Sequence, residues 1–284
     1  MERLARLNAR IATVQELGRI IHAMRSLAAM RVQQAQSALP GIREYATVAG
    51  NAILGVQPFG SNGGAVWWPH DSRARVLIGF CAEHGFVGDF NDVLLERIAA
   101  RLADGPTLLF LVGDRGVQIA AERGLDVYWS HPMATQAGGV LGIARRLAPA
   151  LYRAVRAGPR VVDIVFGRYR AGGDREVQEL RLLPPDFSAF AAPATLPPLH
   201  NLPADVLMEK LVEEYVLAEL TRVAMESLAS ENGARLRAME QACDNVEDLR
   251  QKLKRSADAR RQEEITTELL DVVTGTMAQL GRAL

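Results

Sequence analysis

The last 81 residues of this 284-residue chain, from Ala204 to Leu284, contain no proline and only three glycines. Proline breaks a helix interior and glycine weakens it, so this stretch predicts one continuous helix over 204–284. At a rise of 1.5 Å per residue the helix would be roughly 120 Å long, several times the diameter of a small domain. No compact enzyme needs such a length, which favours a structural role.

The apolar residues of this segment follow the three-and-four spacing of a coiled coil. Eight acids and eight bases between Glu231 and Glu264 make the rest of the helix surface polar. We therefore expect a second helix to cover the narrow apolar stripe. The stripe consists of Leu236, Met239, Cys243, Val246, Leu249 and Leu253, and continues with Ile265, Leu269, Val272 and Thr276.

The amino-terminal segment, residues 1–56, supplies the expected partner helix in an antiparallel pair. A single three-residue step at Leu17 interrupts its apolar spacing and predicts a local overwinding of the stammer type. Pro40-Gly41 predicts a kink or an end near Leu39, with the helix resuming over 42–54. Residues 1–36 carry six arginines and two acids, so we expect this basic helix to lie next to an acidic surface. The stripe residues are Leu4, Leu7, Ile11 and Val14, followed by Leu17, Ile21, Met24 and Ala28.

The middle of the chain alternates short β-type runs with helical stretches, which predicts a parallel α/β sheet. We expect the α/β domain at 73–183, framed by Gly- and Pro-rich linkers at 55–72 and 184–203. The fold class is therefore α/β: a long antiparallel coiled coil of the terminal helices with an inserted Rossmann-like α/β domain. Predicted strands are 75–80, 107–112, 126–130, 161–166 and an added strand at 176–183, with helices at 91–103, 114–123 and 138–157.

Composition narrows the functional classes. The 33 basic and 33 acidic residues give zero net charge, which argues against a general nucleic-acid binder. The chain has no run of 18 apolar residues and no signal-peptide start, so we expect it in the cytoplasm. Its two cysteines lie in different segments, which predicts neither a disulfide framework nor a zinc site. We expect no metal and no cofactor.

A catalytic role would have to reside in residues 81–91, CAEHGFVGDFN, after the first strand. Cys81, Glu83 and His84 could be nucleophile, acid and base. Adjacent strand residues face opposite ways, however, and the glycines suit a tight turn, so we predict no catalytic residue. The chain also lacks the Gly-rich nucleotide-binding motifs. Asp114 is expected to cap the helix at 114–123.

Both ends of the chain resemble a known family. RIATVQELGRIIHAMRSLAAMRVQQAQ (10–36) is similar to the amino-terminal helix of the gamma subunit of F-type ATP synthases. YVLAELTRVAMESLASENGARLRAMEQACDN (215–245) and RQEEITTELLDVVTG (261–275) resemble its carboxyl-terminal helix. GFVGDFN (85–91) resembles the family's G-L-C-G-x-F-N turn. The resemblance implies a non-catalytic central rotor inside an alpha-beta ring, with an epsilon subunit and a membrane ring of c subunits as further partners.

The resemblance also implies contact residues, each of which has a plainer interpretation. Met24 matches the methionine of I-T-K-A-M near a beta-subunit loop, but it could be only a stripe residue. Arg261 and Gln262 match the family's A-R-Q element, which reaches a beta-subunit loop, but they could equally be solvated. The implied beta-subunit contacts are Met24, Arg25, Arg261, Gln262, Thr266 and Glu268, and contacts to the c ring or epsilon subunit are Gly85, Gly88, Phe90 and Asn91.

Departures from the family pattern indicate a divergent branch. His22 replaces the usual lysine, AEHG (82–85) replaces S-D-R-G, and Pro40 lies inside the first helix. These features favour the alternative, sodium-type bacterial branch. The implied location is peripheral, on the cytoplasmic side of a bacterial inner membrane. Two other classes stay open: a coiled-coil scaffold with an α/β head, and a small α/β enzyme that uses the 81–91 loop.

Overall fold

The computed structural model describes residues 2–56, 75–157, 161–170, 175–185 and 199–280. Its elements follow the chain as α1 (Glu2–Val56), β1 (Arg75–Phe80), α2 (Phe90–Leu102), β2 (Thr107–Val112), α3 (Asp114–Glu122), β3 (Trp129–His131), α4 (Val140–Arg156), β4 (Val161–Tyr169), β5 (Arg175–Leu183) and α5 (Ala204–Leu280). The long terminal helices and the inserted α/β domain therefore match the fold class expected from the sequence. Most of both expected linkers lies outside the described residues.

The chain forms two compact units, of which the first combines both ends of the sequence and the second is one continuous segment. The first, called here the two-helix unit, contains residues 1–26 and 238–284. The second, the α/β unit, contains residues 27–237. It is larger than the 73–183 segment because the carboxyl-terminal half of α1 and the first part of α5 bury their side chains against the sheet.

The sheet of the α/β unit has five strands in the order β3-β2-β1-β4-β5. β1 to β4 pair in parallel, and β5 joins β4 antiparallel with an irregularity between Val162 and Asp163. Four strands start at or within one residue of the predicted positions. The strand expected at 126–130 instead begins at Trp129, because only Trp129–His131 pair with β2.

Each face of the sheet carries a separate apolar core. One core joins α4 and the α/β-unit parts of α1 and α5 to alternate strand residues such as Ile78, Phe110 and Ile164. The other joins α2 and α3 to the intervening residues, such as Leu77 and Leu109. Side chains alternate across a strand, so these runs are apolar throughout because both faces are covered.

In the two-helix unit, α1 and α5 pack antiparallel along a narrow seam. His22 Nδ1 lies 3.7 Å from Cys243 Sγ, and a Cβ on Gly18 would lie 3.2 Å from Val246 Cγ1. Gly18 rather than Leu17 occupies the seam, since Leu17 is 48% exposed. The buried positions then step regularly through Val14, Gly18 and Ile21, so the predicted stammer is wrong. The spacing looked broken because an apolar count passes over glycine.

Pro40 does not end α1, which is assigned as one helix from Glu2 to Val56. Leu39 is buried in the α/β unit, as are Ala46, Ala49 and Ile53 on the far side of the proline. Tertiary packing of this face stabilises helical geometry where local propensity opposes it. A kink at Pro40 stays a prediction.

Candidate functional site

A buried polar cluster on α5 supports the turn that follows β1. Arg235 donates hydrogen bonds to Glu231 Oε1 at 2.7 Å and to Asn232 Oδ1 at 3.2 Å. Its guanidinium also donates to the backbone carbonyls of His84 and Gly85 at 3.2 and 3.3 Å. The planar, forked donor set of arginine suits several simultaneous acceptors. The cluster therefore anchors the turn to α5.

Glu231 is the buried acid of this cluster. Its side chain is 3% exposed, and burial raises the pKa of its carboxyl, although the nearby Arg235 guanidinium acts in the opposite direction. A buried carboxylate is costly unless it is paired and hydrogen-bonded. Arg235 thus has two roles, since it pairs with the carboxylate and holds the turn.

The turn exposes the side chain of one residue and buries that of the next. Phe86 has a left-handed φ of 60° and is 67% exposed, whereas Val87 is buried. Gly88 has the same φ of 60° and is exposed. A left-handed conformation is unfavourable for a bulky residue, so the surrounding contacts must impose it on Phe86.

The four residues expected to contact a c ring or epsilon subunit have different positions in this turn. Phe90 and Asn91 are each 2% exposed, and Asn91 Oδ1 accepts a hydrogen bond from the Ala82 backbone at 2.9 Å. Their side chains therefore shape the turn from inside. Gly85 is half-buried and Gly88 is exposed, so partner contact at those two positions stays a prediction.

The catalytic alternative for the same loop gains no support from the geometry. Cys81 is fully buried, and burial raises the pKa of its thiol to about 12, with a further contribution from Glu231. A thiol with so high a pKa is a poor nucleophile at neutral pH. The Glu83 carboxylate accepts from the Asp114 and Met133 backbone amides at 3.2 and 2.6 Å. His84 is exposed to solvent.

Glu83 also replaces the expected helix cap. We expected Asp114 to cap α3, but Asp114 is the first helical residue and Gly113 precedes it as the N-cap. Gly113 has a φ of 110°, and a Cβ there would lie 2.4 Å from the Cys81 carbonyl oxygen. Only glycine fits this approach, so the acceptor comes from Glu83, a residue distant in sequence.

Membrane-spanning and metal-binding features are absent from the part of the chain that the structure describes. No described helix is long and apolar enough to cross a bilayer. The described residues also contain no cluster of three or more His, Cys, Asp or Glu side chains placed to hold a metal ion.

The expected beta-subunit contacts lie at two levels of the two-helix unit. Met24 is half-buried and Arg25 is exposed on α1, while Arg261 and Gln262 are exposed on α5. Because Gly18 faces Val246 and His22 lies beside Cys243, Arg261 is level with the first turn of α1. The two groups are therefore about 30 Å apart along the helix axes, at 1.5 Å per residue.

The last described turns of α5 lie beyond the described start of α1. Ile265, Leu269 and Val272 are 49%, 62% and 66% exposed, so α1 does not cover the final part of the predicted stripe. Leu270 and Val273 add to the same exposed apolar surface. Thr266 and Glu268 are exposed there too, and the Thr266 hydroxyl donates to the Gln262 carbonyl at 2.8 Å. This end of α5 therefore presents apolar side chains to solvent.

Sequence reasoning missed the Arg235–Glu231 cluster. The pair is spaced i, i+4 in a stretch rich in charge, which is the usual pattern of a solvated helix face. Its neighbours Ser227, Ser230 and Ala234 are small residues that allow close packing, and all are buried. The small residues beside this acid-base pair were the one feature of the sequence that could have indicated its burial.

Comparisons with known proteins give one consistent result. Residues 3–279 match the family model described as ATP synthase. The ATP synthase gamma chain of Parafrankia sp. (strain EAN1pec) is 30% identical over 288 residues, which cover 95% of each chain. The ATP synthase gamma chain of Flavobacterium johnsoniae is 26% identical and is matched over its whole length by 99% of this chain.

Solved structures agree at the level of fold. A chain of the Euglena gracilis mitochondrial ATP synthase superposes with a TM-score of 0.64 at 14% identity, covering 98% of this chain and 95% of that one. A chain from the central stalk and c ring of the Tetrahymena thermophila mitochondrial enzyme gives 0.57 at 17% identity, covering 78% and 99%. With a family model and a 30% identical relative that both span nearly all of it, the chain belongs to the ATP synthase gamma chain family.

Proposed function

We propose that this chain is the central-stalk rotor subunit of an ATP synthase. The observation that carries the proposal is the two-helix unit, an antiparallel pair of helices in which α5 exposes apolar side chains such as Ile265 and Leu269. The chain supplies no catalytic group, and the ATP chemistry takes place on the beta subunits.

The rotor acts through contacts that differ around its circumference. Arg25 on α1 and Arg261 on α5 are exposed, and apolar residues such as Leu17 and Ile20 are also exposed on α1. A beta subunit that meets a charged side is stabilised in a different conformation from one that meets an apolar side. Rotation therefore changes which sites bind nucleotide tightly.

The partners outside the alpha-beta ring are an epsilon subunit and a membrane ring of c subunits. We place the Gly85 and Gly88 turn at that interface, with Phe90 and Asn91 supporting it from inside. The chain is peripheral to the membrane through this complex, on the cytoplasmic side of a bacterial inner membrane. The departures at His22 and Pro40 favour the sodium-type branch, and the coupled ion is set by other subunits.

Reconstitution tests the function directly. The full chain is mixed with alpha and beta subunits from the same source, and assembly and ATPase turnover are measured. Joint elution with a rise in turnover is expected. If the chain elutes alone and turnover does not rise, the scaffold hypothesis becomes the better account.

The expected beta-subunit contacts need a separate test. Arg261→Ala with Gln262→Ala should leave the helix content of the chain unchanged and lower coupled ATP turnover, because charge-assisted hydrogen bonds to a beta loop are lost. Lys252→Ala with Lys254→Ala is the matched control, since both lysines are exposed on the same helix. Equal turnover in the two double variants would remove Arg261 and Gln262 from the mechanism. Met24→Lys, Arg25→Ala, Thr266→Ala and Glu268→Gln extend the test one residue at a time.

A further inference from the structure

The outer face of α4 is strongly and uniformly basic. The helix contains Arg145, Arg146, Arg153 and Arg156 but no acidic residue. At 3.6 residues per turn these four positions fall within about 100° of the helix circumference. All four are exposed, and none forms an ion pair or hydrogen bond with the residues that the structure describes. In a chain of zero net charge, this face is a local concentration of positive charge.

A partly apolar cavity opens beside this face. It has a volume of about 340 Å³ and is lined by Gly41, Ile42 and Tyr45 of α1, Leu141 and Arg145 of α4, and Glu214, Leu217, Ala218 and Thr221 of α5. Leu141 is 40% exposed and Tyr45 is 48% exposed at its edge. Apolar pockets of this size with a few polar groups are typical of binding sites.

The charges around the cavity distinguish between classes of ligand. Arg145 provides a cation on the α4 side, while Glu214 on the α5 side accepts a hydrogen bond from the Tyr45 hydroxyl. A nucleic acid or an anionic membrane would bring phosphates close to the Glu214 carboxylate. A polypeptide helix can present carboxylates to α4 and apolar side chains to the cavity. Arginine pairs with carboxylates through two parallel hydrogen bonds, which adds geometric selectivity.

We infer that this face of the α/β unit binds an acidic amphipathic helix of a partner polypeptide. One apolar side chain of that helix fills the cavity, in the helix-in-groove mode. Carboxylates one turn apart on its flank pair with Arg145 and with the other arginines of α4. The inference goes beyond the rotor function, because it concerns a surface of the α/β unit and uses none of the residues of the two-helix unit.

The test places a benzophenone amino acid at Leu141 in the full complex purified from its host. After irradiation, the cross-linked segment is mapped by mass spectrometry, with the same group at the exposed Ala121 of α3 as the background. The expected product is a partner segment with acidic residues at helical spacing beside an apolar residue. No cross-link above the background would overturn the inference. A cross-link to lipid, to nucleic acid, to a chain of this same protein or to a segment without acids would overturn it too.

Two substitutions must then reduce the cross-link. Gly41→Leu fills the cavity, and it should fold because a Cβ at Gly41 meets no atom within 4 Å. Arg145→Glu reverses the charge at the cavity edge. Each should reduce the yield by about tenfold or more, as expected for an anchor position. Equal yields in wild type and in both variants would contradict the inference.

Matched controls lie on the other side of the sheet. Ala100→Leu on α2 and Arg115→Glu on α3 make comparable changes at exposed positions, and they should leave the yield unchanged. ATPase turnover of the same preparations reports on the rotor function separately. Normal turnover without the cross-link would therefore count against this inference alone.

Discussion

Helix α5 belongs to both units, and its side chains are mostly buried in one unit and mostly exposed in the other. In the α/β unit, nearly every residue from Tyr215 to Arg235 is buried, including Glu226 and Glu231. In the two-helix unit, only Leu253 and Ala257 are buried between residues 240 and 263. Charges are paired inside the first unit and lie in solvent in the second. One unit is thus held by a conventional core, whereas the other has little core of its own and leaves most of its surface for partners.

Arg235→Met should give the largest effect, because it breaks the buried pair of the α/β unit. The variant leaves the Glu231 carboxylate buried without its cation, which typically costs about 3–5 kcal/mol. Urea unfolding followed by circular dichroism measures the loss. Arg250→Met is the matched control, because Arg250 pairs with Glu247 on the solvent-exposed surface of the two-helix unit. If both variants unfold at the same urea concentration, the contrast between buried and exposed pairs is refuted.

Removal of an apolar side chain should also affect the two units unequally. Leu147 is 0% exposed in the α/β core, and Leu147→Ala should cost about 2–5 kcal/mol through lost burial and a residual cavity. Leu253 is 8% exposed at a narrow seam that can close more easily. Leu253→Ala should therefore cost less in the same urea titration. A larger loss for Leu253→Ala would mean that the seam is packed as tightly as the core.

Two glycines of α1, one crowded and one open, extend the comparison between the two units. Gly18→Leu should destabilise the chain by about 1–3 kcal/mol, because overpacking pushes α1 away from Val246. Gly41→Leu should stabilise it by about 0.5–1 kcal/mol, since a helical glycine is replaced where no atom is close. Thermal melting of the two variants should shift in opposite directions. A stabilising shift for Gly18→Leu would show that Gly18 is not a seam residue.

The pH dependence should have opposite signs in the two units. Burial raises the pKa of Glu231 above the ordinary 4.5, so its favourable contribution is largest below pH 4.5 and is lost as the pH rises. A hydrogen bond from Arg250 lowers the pKa of Glu247 to about 2, so its contribution is present above pH 4.5 and is lost toward pH 2. The Glu247 effect is small because solvent screens it.

Stability measured against pH for Glu231→Gln and Glu247→Gln checks these signs. The difference between wild type and Glu231→Gln should fall as the pH rises above 4.5. The difference between wild type and Glu247→Gln should grow between pH 2 and pH 4.5. Parallel curves for the two variants would refute the assignment of opposite environments.

Local patterns were enough to predict the elements of the α/β unit. β1 and β2 begin and end where the apolar runs of 75–80 and 107–112 do. Parallel strands buried on both faces are apolar at every position, so the ends of the apolar run mark the ends of the strand. The weak strand was misplaced at 126–130, since its pairing is set by β2 and not by its own composition. Gly18 was missed because a seam position is defined by its neighbour Val246.

The candidate site was only partly predictable for the same reason. The exposure of Arg261 and Gln262 follows from their polar surroundings in the sequence. The burial of Asn91, in contrast, goes with a hydrogen bond from the Ala82 backbone. The burial of Arg235 goes with hydrogen bonds to backbone carbonyls more than 140 residues away in the chain. Pro40 shows the converse, since long-range packing keeps α1 helical where a local rule predicted an end. The exposure of Ile265 and Leu269 was not evident from their apolar spacing, which is the same as in the buried part of the stripe.

The most direct test of the rotor account is single-molecule observation of the chain within an assembled alpha-beta ring. A bead is attached through Tyr128→Cys, a position that is 60% exposed in the α/β unit, with Cys243→Ser to remove the half-buried thiol. The account predicts that adding ATP turns the bead in one direction, and that rotation stops when ATP is removed. A bead that stays fixed while the same complexes hydrolyse ATP would contradict it.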